Sequence, residues 1–174
     1  MSKEPPAETK WEGRFIRVLR RGTWEYVSRA RGICAVVILA EHDRKIVLIE
    51  QYRVPIGRRC LELPAGLIGD DDENADVEDT AIKELEEETG FTAERIERLG
   101  EYYSSPGMVS ESFTLVRAHG LTRIGDGGGL DGHEDITVHL VERDAIAAFV
   151  EEKRSEGVAI DVRLLLLLGG VLLG

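Results

Sequence analysis

Two apolar runs, CAVVILA at 34–40 and IVLIEQY at 46–52, stand five residues apart and set the first limit on the fold. Each is short, rich in branched aliphatic residues and without polar alternation, which is the pattern of a strand covered on both faces. The EHDRK between them reads as a turn, so the two strands are expected to pair as neighbours. Cys34, which opens the first run, reads as a small buried hydrophobe.

The rest of the chain divides around this pair. RFIRVLR (14–20) and TWEYVSR (23–29) alternate apolar and polar residues on either side of Gly22, as a β-hairpin does. The residues before them carry a Pro5–Pro6 pair and are expected to be loose. The implied division is a flexible N-terminus (1–10), a hairpin (11–32) and a main domain (33–174). CLELPAG (60–66) begins as strand and stops at Pro64, GDDDEN (69–74) is an acidic loop, and a helix is predicted over 76–89, ended by Gly90 in a left-handed cap. Short strands follow near 95–103, 112–118 and 136–141. Between the last two lies GDGGGLDGHED (125–135), a glycine-rich loop of the kind that moves or binds. Helical spacing returns at 142–154 and from Asp161 onward. The order gives an α+β or mixed α/β domain rather than a regular βαβ series.

Composition narrows the function. A formal net charge of −11 disfavours wrapping nucleic acid or lying on an anionic membrane, so a phosphate ligand would need local arginines or a bound cation. Two cysteines make no disulfide framework and have no zinc-binding spacing. LLLLLGGVLLG (164–174) falls well short of the ~20 residues that span a bilayer. It follows the charged Asp161 and Arg163, and reads as a buried helix or an oligomer contact. The polar opening MSKEPPAETK has no signal-peptide apolar core, and a cytoplasmic protein is expected.

The densest chemistry is KELEEETG (83–90). On a helix Glu84, Glu87 and Glu88 stand at i, i+3 and i+4 and share one sector, while Ile82, Leu85 and Thr89 fall on another that faces the core. Acids so placed repel one another and oppose the helix dipole near its C-terminus. A solvated acidic face is one reading. A cradle for a hard divalent cation, which takes carboxylate oxygens and keeps waters for a phosphate, is the other.

The stretch GLIGDDDENADVEDTAIKELEEETGF, from Gly66 to Phe91, resembles the Nudix box, in outline G-x5-E-x7-R-E-U-x-E-E-x-G-U with U a bulky aliphatic residue. Lys83, Glu84, Leu85, Glu87, Glu88, Gly90 and Phe91 match its second half. Lys83 replaces an arginine, and Asp72, followed by Glu73, stands at the first acidic position with three extra residues before Lys83. The resemblance implies a Nudix fold: a central mixed sheet flanked by helices, with the N-terminal antiparallel hairpin beside it. It also implies Mg²⁺ (or Mn²⁺) held by Glu84, Glu88 and Glu87, with the Ala65 carbonyl contributing.

Outside the box, QYR (51–53), LELPAGLI (61–68), YYSSPGMVSES (102–112) and EDITVHLV (134–141) resemble the ADP-ribose pyrophosphatase branch, and Pro106 stands 16 residues after Gly90, where that branch carries a proline. This implies hydrolysis of a nucleoside diphosphate sugar, with ADP-ribose giving AMP and ribose 5-phosphate; GDP-mannose or another nucleotide sugar is the rival substrate. A non-catalytic ADP-ribose sensor is the rival class, although such modules lose box glutamates that this chain retains. Arg53 is a candidate for the diphosphate or terminal ribose, against a plain surface arginine. Glu62 would accept a hydrogen bond from substrate, against a structural strand-end acid. Glu134 is the candidate general base or further metal ligand, with Asp135 its rival and box Glu87 another acid at the water. Trp24 resembles the aromatic that stacks on adenine. Trp11 is either its partner in a sandwich or a core-packing indole. Arg29 is placed to reach phosphates, and Pro106, Gly107 and Met108 belong to the substrate-facing segment. A homodimer, with the hairpin reaching the other subunit, is implied by the same resemblance.

Overall fold

The computed structural model describes residues 5–30, 33–69, 76–129 and 135–172. Strands β1 (Glu8–Glu12), β2 (Ile16–Arg21) and β3 (Trp24–Arg29) form a separate antiparallel sheet. The β2–β3 hairpin turns at Gly22, where φ is +61°. Residues 8–10, expected to be loose, are the first half of β1. ETKWE has one apolar residue and is exposed throughout, so no hydrophobic pattern announces it. It is held by its ladder to β2 and by ion pairs of Glu8 with Lys10 and Arg20.

Strands β4 (Cys34–His42) and β5 (Lys45–Arg53) meet through a tight turn in which Asp43 and Arg44 both have positive φ, as a two-residue hairpin turn requires. They pair only at Glu41–Ile46 and His42–Lys45, and then part. On its two edges β4 takes β7 (Ala65–Ile68), antiparallel, and β10 (Phe113–His119), parallel. In turn β5 takes β6 (Arg58–Glu62) and β12 (Ile136–Glu142), both antiparallel. The two strands are neighbours as expected, but the ladder between them is short: an apolar run reports that both faces are covered, not how far an edge hydrogen-bonds. With β9 (Arg95–Tyr102) beside β10 and β13 (Ala159–Ile160) beside β6, eight strands are continuous. A two-residue pair, β8 (Phe91–Thr92) with β11 (Thr122–Arg123), stands apart.

Helix α1 (Val77–Thr89) covers one face and α2 (Ile146–Ser155) with α3 (Leu165–Leu172) the other. Val36, Ile38 and Ala40 pack with Val47, Ala81, Leu85 and Phe91 on the α1 side. Val37 joins Ile46, Leu48, Leu61, Val150, Leu164 and Leu168 on the far side. The result is the expected mixed α+β sandwich. Cys34 is exposed rather than buried, because it sits at the open start of β4 before either helix layer begins. Cys60 is buried, and burial with the nearby Glu62 charge pushes its thiol up to about 12. No helix among the described residues is long and apolar enough to cross a membrane.

The ends of α1 follow the sequence signals. Asp76 caps the N-terminus through Oδ1, which accepts from the Asp79 amide at 2.9 Å, and Gly90 closes the other end at φ +72°, donating to the Glu86 carbonyl. The described part of the glycine-rich loop completes that cap. The amides of Ile124 and Gly125 donate to the Gly90 carbonyl, Gly128 to Glu88 and Gly129 to Glu87, at 2.8–3.0 Å. A Cβ on Gly127 would collide with the Thr89 backbone, so the close approach requires glycine.

Candidate active site

The site begins where the chain leaves β6. The Pro64 carbonyl accepts from Ile38 at 2.8 Å, pinning the turn to β4, and Ala65 and Gly66 then pair with Val37 and Val36. Helix α1 lies across this short strand. The Ala65 amide donates to Glu88 Oε2 at 3.0 Å, and Glu88 is only 4% exposed. The Glu84 carboxylate occupies the space where a Cβ on Gly66 would stand. Glu87, half-buried, has the Lys83 ammonium 3.9 Å from Oε1.

Glu84 and Glu88 are thus pressed onto one backbone turn, with Glu87 beside them on the same helix. Among the described residues no three acids converge into a finished metal cluster. The donor set still fits a hard cation: carboxylate oxygens and a main-chain carbonyl, in a cradle that one added methyl would fill. Gly66→Ala is accordingly expected to weaken Mn²⁺ binding, measured by calorimetry, by ~10–100-fold, the range for disturbing groups that orient ligands.

Beside the cradle, Arg53 donates through Nε and Nη2 to the two oxygens of Glu62, both at 2.7 Å. Glu62 is 2% exposed and also receives Arg163 Nη2 at 3.4 Å. Both of its oxygens are engaged by guanidinium groups, the arrangement of the structural acid that was the alternative reading for this position. The bonds from Glu62 raise the pKa of Arg53 against an opposing effect of burial, and the nearby Glu88 charge adds to the rise. Arg163 in turn donates to Asp161 from Nε at 2.7 Å and from Nη2 at 2.8 Å. Burial alone would raise the Asp161 carboxyl, but these bonds outweigh it and hold the group below the usual carboxylate range. Arg29 is paired with Glu111 at 2.5 Å. Asp161, Arg163 and Glu111 were not read as site residues. The first two stand just before a leucine run, and no spacing rule links them to Glu62, about a hundred positions earlier.

The N-terminal sheet reaches this region through β3. The Val27 amide donates to the Met108 carbonyl and its own carbonyl accepts from Ser110, both at 2.9 Å. Trp24, 65% exposed, lines a cavity of about 590 Å³ with Tyr26, Pro106, Gly107 and Val109. Met108 leaves its side chain exposed. Trp11 is 55% exposed, so it does not pack in the core. Its register partner on β2 is Val18, whereas that of Trp24 is Arg21, an odd number of places along the strand. The indoles therefore occupy opposite faces of the sheet, and one chain does not form the expected sandwich.

Glu134 lies outside the described residues, as do Asp72 and Glu73. Asp135 is occupied elsewhere: Arg59 Nη1 donates to it at 2.8 Å, while Nε of the same arginine holds the buried Glu50 at 2.6 Å. Thr137 and His139, on the same face of β12, join that network.

Comparison with known proteins agrees with this geometry. The NUDIX domain family matches residues 28–158. The methanol dehydrogenase activator of Bacillus methanolicus is 35% identical over 128 residues, covering 74% of this chain and 67% of its own. The ADP-ribose pyrophosphatase of Escherichia coli (strain K12) is 32% identical over 157 residues, covering 86% and 71%. A crystal structure of an ADP compounds hydrolase superposes with a TM-score of 0.72, covering 98% of this chain and 93% of its own; at 23% identity the likeness is one of fold. With the box glycine, the helix and its glutamates assembled on one turn, and the family pattern running through well over half of its length, the chain belongs to the Nudix family.

Proposed function

We propose that this Nudix hydrolase cleaves ADP-ribose to AMP and ribose 5-phosphate as a Mg²⁺-dependent cytoplasmic homodimer. The observation that carries the reading is the juxtaposition of Arg53, locked on Glu62, with the box carboxylates around Glu88. The name of the relative from Escherichia coli, an ADP-ribose pyrophosphatase, supports the substrate.

Glu84, Glu87, Glu88 and the Ala65 carbonyl would hold the metal. Bound there, Mg²⁺ supplies charge neutralisation to the diphosphate and a lowered pKa to a coordinated water. Arg53, with Nε and Nη2 committed to Glu62, has Nη1 left to donate to a nonbridging oxygen. The water oxygen bonds to one phosphorus, the bridging P–O bond breaks, and the water's proton passes to a carboxylate, Glu134 or Glu87. Arg29 and Pro106–Met108 complete the substrate side, and Trp24 stacks on the base. Because Trp11 and Trp24 occupy opposite faces of one sheet, a two-sided clamp on adenine takes one indole from each subunit, which favours the dimer.

The test is turnover of ADP-ribose, GDP-mannose, ADP-glucose and NADH with Mg²⁺, with products separated by chromatography. Preferential release of AMP from ADP-ribose supports the proposal. Preference for another nucleotide sugar moves the substrate, and tight ADP-ribose binding without cleavage makes the protein a sensor. Trp24→Ala is expected to raise KM for ADP-ribose by ~5–150-fold, the equivalent of one lost base stack.

A further inference from the structure

Glu62 lies at the centre of a chain of four charged side chains that begins far from the Nudix box. Asp161 precedes the short turn leading into α3, and one of its oxygens accepts from both the Arg163 amide and Arg163 Nε at 2.7 Å. Its other oxygen accepts from Nη2 at 2.8 Å. The Arg163 guanidinium is therefore fixed in plane by a two-pronged grip, and its side chain is largely buried. Nη2 then reaches Glu62 Oε2 at 3.4 Å, the same oxygen that accepts from Arg53 Nη2 at 2.7 Å. One carboxylate oxygen is shared by two guanidinium groups. The orientation of Glu62 cannot be set by Arg53 alone.

We propose that Arg163 is a positioning residue for Arg53: anchored by Asp161, it fixes the Glu62 carboxylate, which in turn aims the Arg53 guanidinium at the diphosphate. This rests on the proposed role of Arg53 in binding the diphosphate, and adds to it a residue from the C-terminal segment that does not itself touch the substrate. A rigid Glu62 presents Arg53 in one pose; a Glu62 held only by Arg53 lets the pair turn together, since Arg53 is part-exposed and unconstrained at Nη1. Lysine cannot replace Arg163. An ammonium keeps the charge opposite Asp161 but cannot span the two carboxylates with a planar fork.

The experiment is steady-state kinetics on Arg163→Lys, Arg53→Met and the double variant, with melting temperatures recorded for all three. The substrate is whichever nucleoside diphosphate the wild type cleaves best. Arg163→Lys is expected to raise KM about tenfold, the effect of loosening one charge-assisted hydrogen bond, and to change kcat less than about threefold. In the Arg53→Met background the same change should leave KM as it is, because there is no guanidinium left to aim. Should Arg163→Lys alter the melting temperature alone, or should its effect on KM persist undiminished without Arg53, the residue is structural and the proposal is wrong. If Arg53→Met itself leaves KM unchanged, the role given to Arg53 fails first, and the positioning chain falls with it. Asp161→Asn provides the second route: it spares both arginines and is expected to reproduce the KM effect of Arg163→Lys in a folded protein.

Discussion

Glu88→Gln is expected to lower kcat for ADP-ribose by about 10²–10³-fold, the usual loss when one preorganised electrostatic group is removed from a reacting centre. The glutamine oxygen can still accept from the Ala65 amide, so the turn between β7 and α1 keeps its shape. What disappears is a nearly buried negative charge of the cradle, near enough to Arg53 to raise its pKa. Glu84 and Glu88 are like charges one helical turn apart, so neutralising one of them also relieves a small repulsion. The melting temperature should therefore stay constant or rise slightly while activity collapses. Turnover within about tenfold of wild type would remove Glu88 from the site.

Glu62→Gln has its largest effect on stability. The carboxylate is 2% exposed and forms ion pairs with both Arg53 and Arg163. Its removal deprives part-exposed Arg53 of its two-pronged anion while Arg163 keeps Asp161, so the cost falls at the low end for a broken buried pair, about 3 kcal/mol. For a chain of this size that corresponds to a fall of ~6–12 °C in melting temperature, read by calorimetry or circular dichroism. Asp144→Asn is the control. Asp144 meets Arg44 at 3.4 Å with both side chains in solvent, and its loss should leave the melting temperature unchanged. Equal shifts in the two variants would mean that the Glu62 network contributes no more than a surface pair.

These two glutamates show which parts of the molecule were legible from the sequence. The placement of Glu88 was readable because its signals are local: helical spacing, an aspartate cap and a terminal glycine all lie within fifteen residues of one another, and α1 forms almost where those signals put it. The partners of Glu62 were not readable, because they are set by which strand edges and which distant turn come together. The same limit explains the parted β4–β5 ladder, where uniform apolar character specifies coverage but leaves pairing open. It explains Asp161 and Arg163, which count in a linear reading only as charges before a leucine run. Strand β1 was missed for the opposite reason: its order comes from backbone pairing and surface ion pairs, which leave no hydrophobic periodicity to detect.

The glycine amides bonded to the end of α1 bear on what could be moved to another scaffold. A contiguous graft of the Nudix box, Gly66 to Phe91, would arrive with the Glu87 and Glu88 carbonyls stripped of the donors that Gly129 and Gly128 provide. The last helical turn would then fray where its carboxylates must stay in register. The smallest transplantable cradle is discontinuous: strand β7, helix α1 and the separate stretch 124–129. Shortening that stretch by one residue is expected to loosen the end of α1 without altering a single carboxylate.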